Sequence, residues 1–307
     1  MTDPATSVGD REESAMSEAR TASAPSPAAG GTGHPQPGRR RALRILVVVL
    51  AVGQPVSSLV FDWLSPTTLQ SGAEFSPIVP PGAWFAVWGV IIVLSIAWAL
   101  SQVRPSTITA ATGIRDRLAG PMAVVYACFA LWLAAASLGQ ENPAGLAVFL
   151  VIIAAHVIAW MRVVTARDEI ASWNPLERGL LYGMLGTYSG WTSMAFFVQI
   201  ATVTQGSGAA VDTGWGITWQ ALVLAAATGA AVGFVAVSRG SIVYAVTVTY
   251  ALVGVGLSTA EAGLTALWIT CIAGVSIVWA SVVAVRVLDA RHPAPAARST
   301  STRGRAL

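Results

Sequence analysis

The sequence contains no lysine; all 18 of its basic residues are arginine. That absence excludes a retinal Schiff base, a P-loop lysine and any lysine nucleophile. Charge of either sign is scarce, 11% of 307 residues, against about 25% in soluble domains. Only two cysteines occur, Cys128 and Cys271, each inside an apolar run with no C-x-x-C context. They read as small packing residues rather than disulfide partners or metal ligands. Of the three histidines, His34 and His292 stand in polar terminal stretches, and His156 has no second ligand at helical spacing, so no metal site is expected. No Ser-His-Asp grouping, H-E-x-x-H or phosphate loop is present, so no catalytic residue is assigned and binding is preferred to catalysis. What is abundant is apolar: 54% hydrophobic residues, twelve tryptophans and a mean hydropathy of +0.64. The expected fold is all-α, a polytopic membrane helix bundle, because a helix satisfies its own backbone in lipid.

Residues 1–41 are rich in Ser, Thr, Ala, Pro, Gly and charge, cannot bury enough surface to offset chain entropy, and read as a disordered tail. Apolar runs then follow at 45–64, 82–102, 120–138, 143–164, 178–203, 217–237, 241–257 and 264–288, about eight membrane spans. The seventh is the shortest, and a re-entrant pair with the sixth competes for it, since only Ser238-Arg239-Gly240 separates them. The run at 45–64 follows Arg39, Arg40, Arg41 and Arg44 and reads as a retained first helix rather than a cleaved signal. Gln54 and Pro55 sit in its middle; Pro55 releases the carbonyl of Ala51, which must then face protein or a cavity. Arginine placement bears on the count independently. The links 65–81, 139–142, 204–216 and 258–263 hold no arginine, whereas the alternate segments hold all of it. The positive-inside bias then puts both termini in the cytoplasm, with 289–307 a second tail.

Three stretches carry candidate function. In 75–102, Pro80, Pro81 and Gly82 form a stiff approach to a span whose polar end bears Trp84, Phe85 and Trp88. An interfacial aromatic belt is the plainer account of Trp84. In the fifth run Tyr188, Trp191, Ala195 and Gln199 form one stripe, while Gly179/Gly183 and Gly186/Gly190 are spaced for close helix approach. A packed seam with Ser189, Thr192 and Ser193 bonded to backbone explains this run equally well. Such small-residue faces would also let two copies of the chain pair. His156, at the centre of the fourth run, is the clear intramembrane titratable group, either a polar switch or a hydrogen-bond partner of a neighbouring helix.

The arrangement P-P-G-x-x-F-x-x-W-G at 80–89, the stretch G-x-x-x-G-W-x-S-x-A at 186–195 and Phe129-Ala-Leu-Trp132 together resemble the tryptophan-rich sensory protein family (TspO/MBR), in particular its longer bacterial branch. Phe129 replaces an asparagine usual there, and Gln199 stands where Asn is usual. The resemblance implies a five-helix half at 42–204, a three-helix extension at 205–288 and a bacterial cytoplasmic membrane. It also implies a ligand cavity under the 65–81 loop, with Pro80, Pro81 and Gly82 at its mouth. Phe85, Trp88, Trp132, Tyr188 and Trp191 would stack on a flat apolar ligand such as porphyrin or haem, and Gln54 and Gln199 would orient it. No cofactor is required, and the expected partners are lipid and that small ligand, with no nucleic acid. A small-solute transporter is the alternative, motivated by Pro55, Gln54 and His156; porphyrin breakdown is a further activity implied only by the resemblance. A reporter fused to the carboxy terminus should be active only on the cytoplasmic side of the membrane, and periplasmic activity would refute the arginine-based topology.

Overall fold

The computed structural model describes residues 37–64, 76–108, 113–139 and 142–291. Among them the chain is helical with no strand, and Gly38 onward belongs to one compact unit. Eight long helices follow in order: α1 Pro37–Leu64, α2 Val87–Gln102, α3 Ile114–Ala136, α4 Ala144–Thr165, α5 Pro175–Gly206, α6 Gly214–Val237, α7 Ile242–Glu261 and α8 Thr265–Arg291. Seven are long and apolar enough to cross a membrane, α2 being counted with the 3-10 turn Gly82–Ala86 that precedes it. The stretch after Pro81 therefore opens as a 3-10 turn rather than directly as α-helix. The seventh run is one continuous helix, α7. α1 begins at Pro37, several residues inside the expected tail.

α5 is the helix that fails the hydropathy test despite its 32 residues. Its position explains why. It packs against α2, α4, α6 and α7, and every residue from Met184 to Met194 is buried. A helix enclosed by protein can carry Thr, Ser and Tyr that lipid would penalise. Ser189 donates to the Leu185 carbonyl at 2.6 Å, Thr192 to that of Tyr188 at 2.8 Å and Ser193 to that of Gly190 at 3.0 Å. The seam also bonds across helices, with the Trp160 indole donating to Ser189 at 3.0 Å and Ser193 meeting the Tyr244 hydroxyl at 3.0 Å.

Of the two glycine pairs, Gly186/Gly190 makes the close approach. A Cβ at Gly186 would lie 2.8 Å from Val243 Cβ, and one at Gly190 the same distance from Thr247 Cβ and 3.0 Å from the Tyr244 carbonyl. The pair is thus used inside the chain, to seat α7 on α5. Gly179 meets nothing within 4 Å, and Gly183 makes only ordinary contact with Leu94.

α1 is held by a stripe at 3-4-3 spacing, Arg44, Val47, Ala51 and Gln54, all buried. Gln54 directs its side-chain amide at the Ala51 carbonyl, 3.4 Å away, and so meets the acceptor that Pro55 releases. At the arginine-bearing helix ends, Arg44 pairs with Asp116 of α3 at 2.6 Å and donates to the Thr107 carbonyl at 2.7 Å. Arg115 pairs with Glu177 of α5 at 2.6 Å while lying over the Trp173 ring. Glu169 accepts from the Ile114 amide at 3.0 Å, at the first residue of α3, and occupies the space a Gly113 side chain would need. Arg44 is only 3% exposed, so removing its partner would strand a buried charge at a cost of about 3–5 kcal/mol.

Gly190→Ala should lower unfolding stability by about 1–3 kcal/mol through overpacking. Gly53→Ala, at a site with nothing within 4 Å, should leave it nearly unchanged in the same thermal or denaturant titration.

Candidate functional site

Helical spacing brings the aromatic residues together. Tyr188 and Trp191 stand one turn apart on α5, Phe129 and Trp132 one turn apart on α3, and Phe85 and Trp88 one turn apart across the start of α2. Trp88 is the hub. It stacks on Trp132 with centroids 5.3 Å apart and meets Phe129 at 5.1 Å, Tyr188 at 5.9 Å and Trp191 at 6.3 Å, edge to face. Phe85 adds an edge contact to Trp191 at 5.6 Å, and Phe149 of α4 closes on Trp132 at 5.7 Å. Each such pair contributes about 0.5–1.5 kcal/mol beyond area burial, so the cluster is a rigid plug of mutually supporting rings.

Polar groups thread the cluster unevenly. The Tyr188 hydroxyl donates to Gln54 Oε1 at 3.0 Å, tying α5 to α1. His156 is fully buried, with Nδ1 3.3 Å from the Thr192 hydroxyl and its ring 5.2 Å from that of Tyr188. Its Nε2 has no partner. Trp88, Trp132 and Trp191 likewise each keep a buried indole N–H without a hydrogen bond. Buried polar groups are ordinarily paired; Trp98, outside the cluster, also keeps a buried unpaired indole N–H, but here four such ring nitrogens fall on neighbouring side chains.

The structure does not bring every candidate here. Gln199 lies two turns beyond Trp191, half-buried, its amide against Gly145 at the start of α4. Pro81 precedes the 3-10 turn and accepts from the Trp84 amide at 2.9 Å, while Gly82 is exposed. Pro80 is buried against Gly254 of α7. Most of the expected loop, 65–75, lies outside the described residues.

Sequence reasoning missed the part played by α7. Tyr250 packs against Trp84 with the rings tilted and centroids 4.3 Å apart, approaches Trp191 at 6.3 Å and donates to the Trp84 carbonyl at 3.0 Å. Gly254 lets Trp84 and Pro80 press against the helix. Tyr250, one of two tyrosines in this span, was the available signal. Beside it a groove of about 480 Å³ runs between α2 and α7, walled by Val87, Val90, Val243 and Val246, with Thr187 of α5 and Tyr250 also lining it. Val90 and Val246 are exposed and no other described helix covers them, so the groove opens on the face that lipid would meet. Both cysteines are buried and free, and among the described residues no cluster of His, Cys, Asp or Glu could hold a metal ion.

A model of the TSPO-like protein family matches residues 43–285. The chain belongs to that family. The match runs from the first turns of α1 into the last turns of α8, so the helices beyond α5 lie within the TSPO-like region. No curated protein and no solved structure matches the chain. With seven apolar helices, this TSPO-like chain is a multi-pass membrane protein.

Tyr188→Phe should cost the TSPO-like chain about 1–3 kcal/mol by leaving Gln54 Oε1 buried and unpaired. Paired with Gln54→Leu, it should show non-additivity of at least about 0.5 kcal/mol in a double-mutant cycle.

Proposed function

We propose that this TSPO-like protein is a membrane binding or sensory protein for a flat, apolar ligand of the porphyrin or tetrapyrrole type. The observation that carries the reading is the set of unpaired indole N–H groups on Trp88, Trp132 and Trp191 around one aromatic hub. A ligand bearing acceptor atoms on a planar ring would satisfy those donors and stack on the same rings. The rings already touch one another, so the ligand approaches from the side. It enters from the bilayer by the α2–α7 groove and meets the cluster where Tyr250 adjoins Trp191 and Phe85. Gln54 and His156 act behind the rings, fixing Tyr188 rather than touching the ligand, and Pro80 with Trp84 closes the approach from the 80–82 turn against Gly254 of α7. In this reading α5 crosses as an eighth span, the arginine-bearing ends face the cytoplasm, and the membrane is a bacterial cytoplasmic one.

Protoporphyrin IX added to the purified protein should quench tryptophan fluorescence saturably. Trp191→Ala should raise the half-saturating concentration about tenfold, as loss of one stacking anchor implies. Val246→Trp, which fills the groove without altering the cluster, should do the same. Absence of saturable quenching in the unaltered protein would end the proposal, and unchanged quenching in Val246→Trp would remove the lateral route.

A further inference from the structure

A second cleft, of about 320 Å³, lies at the arginine-bearing end, away from the aromatic cluster. It forms where five chain segments meet: the end of α4 with Arg167 just beyond it, α5 at Tyr182, the α6–α7 link, the first turn of α7 and the last turns of α8. Arg167, Arg239 and Arg286 line it, and no carboxylate does. The nearest acidic partner is Asp289, which Arg167 meets at 3.1 Å and Arg239 at 2.5 Å. Arg286 is anchored differently, its Nε donating to the Gly240 carbonyl at 2.9 Å. Two of the three guanidinium groups thus share one carboxylate while the third bonds only a backbone carbonyl, and the cleft keeps an excess of positive charge.

Two further features suit an anion. Ser241 and Ile242 begin α7 here, so the positive end of that helix dipole faces the same space. Arg239 holds a left-handed backbone at φ 54°, a conformation that glycine takes at less cost. Beside Tyr182 and Ser238 the remaining wall carries an apolar side, Val163, Val164 and Val243, and Ile242 is 45% exposed. The cleft therefore pairs cationic groups at the helix ends with an apolar side that runs onto the bilayer-facing surface. A free phosphate would use the first half and leave the second bare.

We propose that this cleft binds the phosphate headgroup of an anionic phospholipid, with guanidiniums on the phosphate oxygens and the first part of an acyl chain along Val164 and Ile242. The lipid would bridge α4, α6, α7 and α8, clamping the last three helices to the rest of the bundle. The cleft shares no residue with the cluster around Trp88, so the two sites stand or fall separately.

The test is the thermal stability of the detergent-solubilised full chain, titrated with dioctanoyl phosphatidylglycerol, dioctanoyl phosphatidylcholine or inorganic phosphate. Phosphatidylglycerol alone should raise the melting temperature saturably. Arg239→Gln and Arg167→Gln should each raise its half-saturating concentration about tenfold, the loss of one charge-assisted contact. Asp289→Asn should lower that concentration, because it frees both arginines; a purely structural ion pair would give only a lower starting stability. Equal stabilisation by phosphatidylcholine, or arginine variants that respond like the parent, would overturn the proposal. Inorganic phosphate reproducing the effect would replace it with a free-anion site. Should either glutamine variant fail to fold, Arg167→Lys, which keeps the charge but loses the fork, should still weaken phosphatidylglycerol binding.

Discussion

The structure depends on the close contact between α5 and α7 at Gly186 and Gly190. A helix with the polar content of α5 is tolerable within a membrane only if protein surrounds it. The two glycines let α7 settle against the face that α2 and α4 leave open. Once that face is closed, Ser189, Thr192 and Ser193 can spend their hydroxyls on backbone and on Trp160 and Tyr244 without meeting lipid. α7 then has a second consequence, because Tyr250 and Gly254 on it receive Trp84 and Pro80. The position of Pro80 and Trp84 ahead of α2 follows from the packing of a helix beyond the first five.

The aromatic hub follows from the same enclosure. Trp88, Trp132 and Trp191 point inward from three helices and fill the centre with rings instead of leaving it open. Filling the space this way leaves their N–H groups unanswered, and each such group held away from water is a standing energetic cost. A core selected for packing alone would place apolar rings there. The groove along α2 and α7 lies next to this cost and opens on the outer face of the bundle.

At the opposite end the chain uses arginine as structural glue. Arg44, Arg115 and Glu169 tie the starts of α1, α3 and α5 and the turns between them, and Arg162 reaches the Arg117 carbonyl. Arg167, Arg239 and Asp289 join the later helices. The first group is largely buried and specifies which helix ends meet. The second is more exposed and individually worth little, about 0–1 kcal/mol per pair, which leaves those guanidiniums free to serve another partner.

Sequence alone determined that this is a helical membrane protein, where most of the long helices lie, and which residues share a face, because hydropathy and the 3.6-residue period are local properties. Spacing put Tyr188 and Trp191 on one stripe and Phe85 with Trp88 at one span end, whereas Trp132 joined them only through the family resemblance; the sequence left open whether the Ser and Thr of α5 bond locally, as the structure shows they do. Only tertiary structure decided which faces meet. That Gln54 accepts from Tyr188, that Gln199 stands apart beside Gly145, and that Tyr250 joins the cluster all depend on pairings between segments tens of residues apart. Such pairings are set by how closely helices can approach and which ion pairs they bury, and no periodicity within a single segment encodes them.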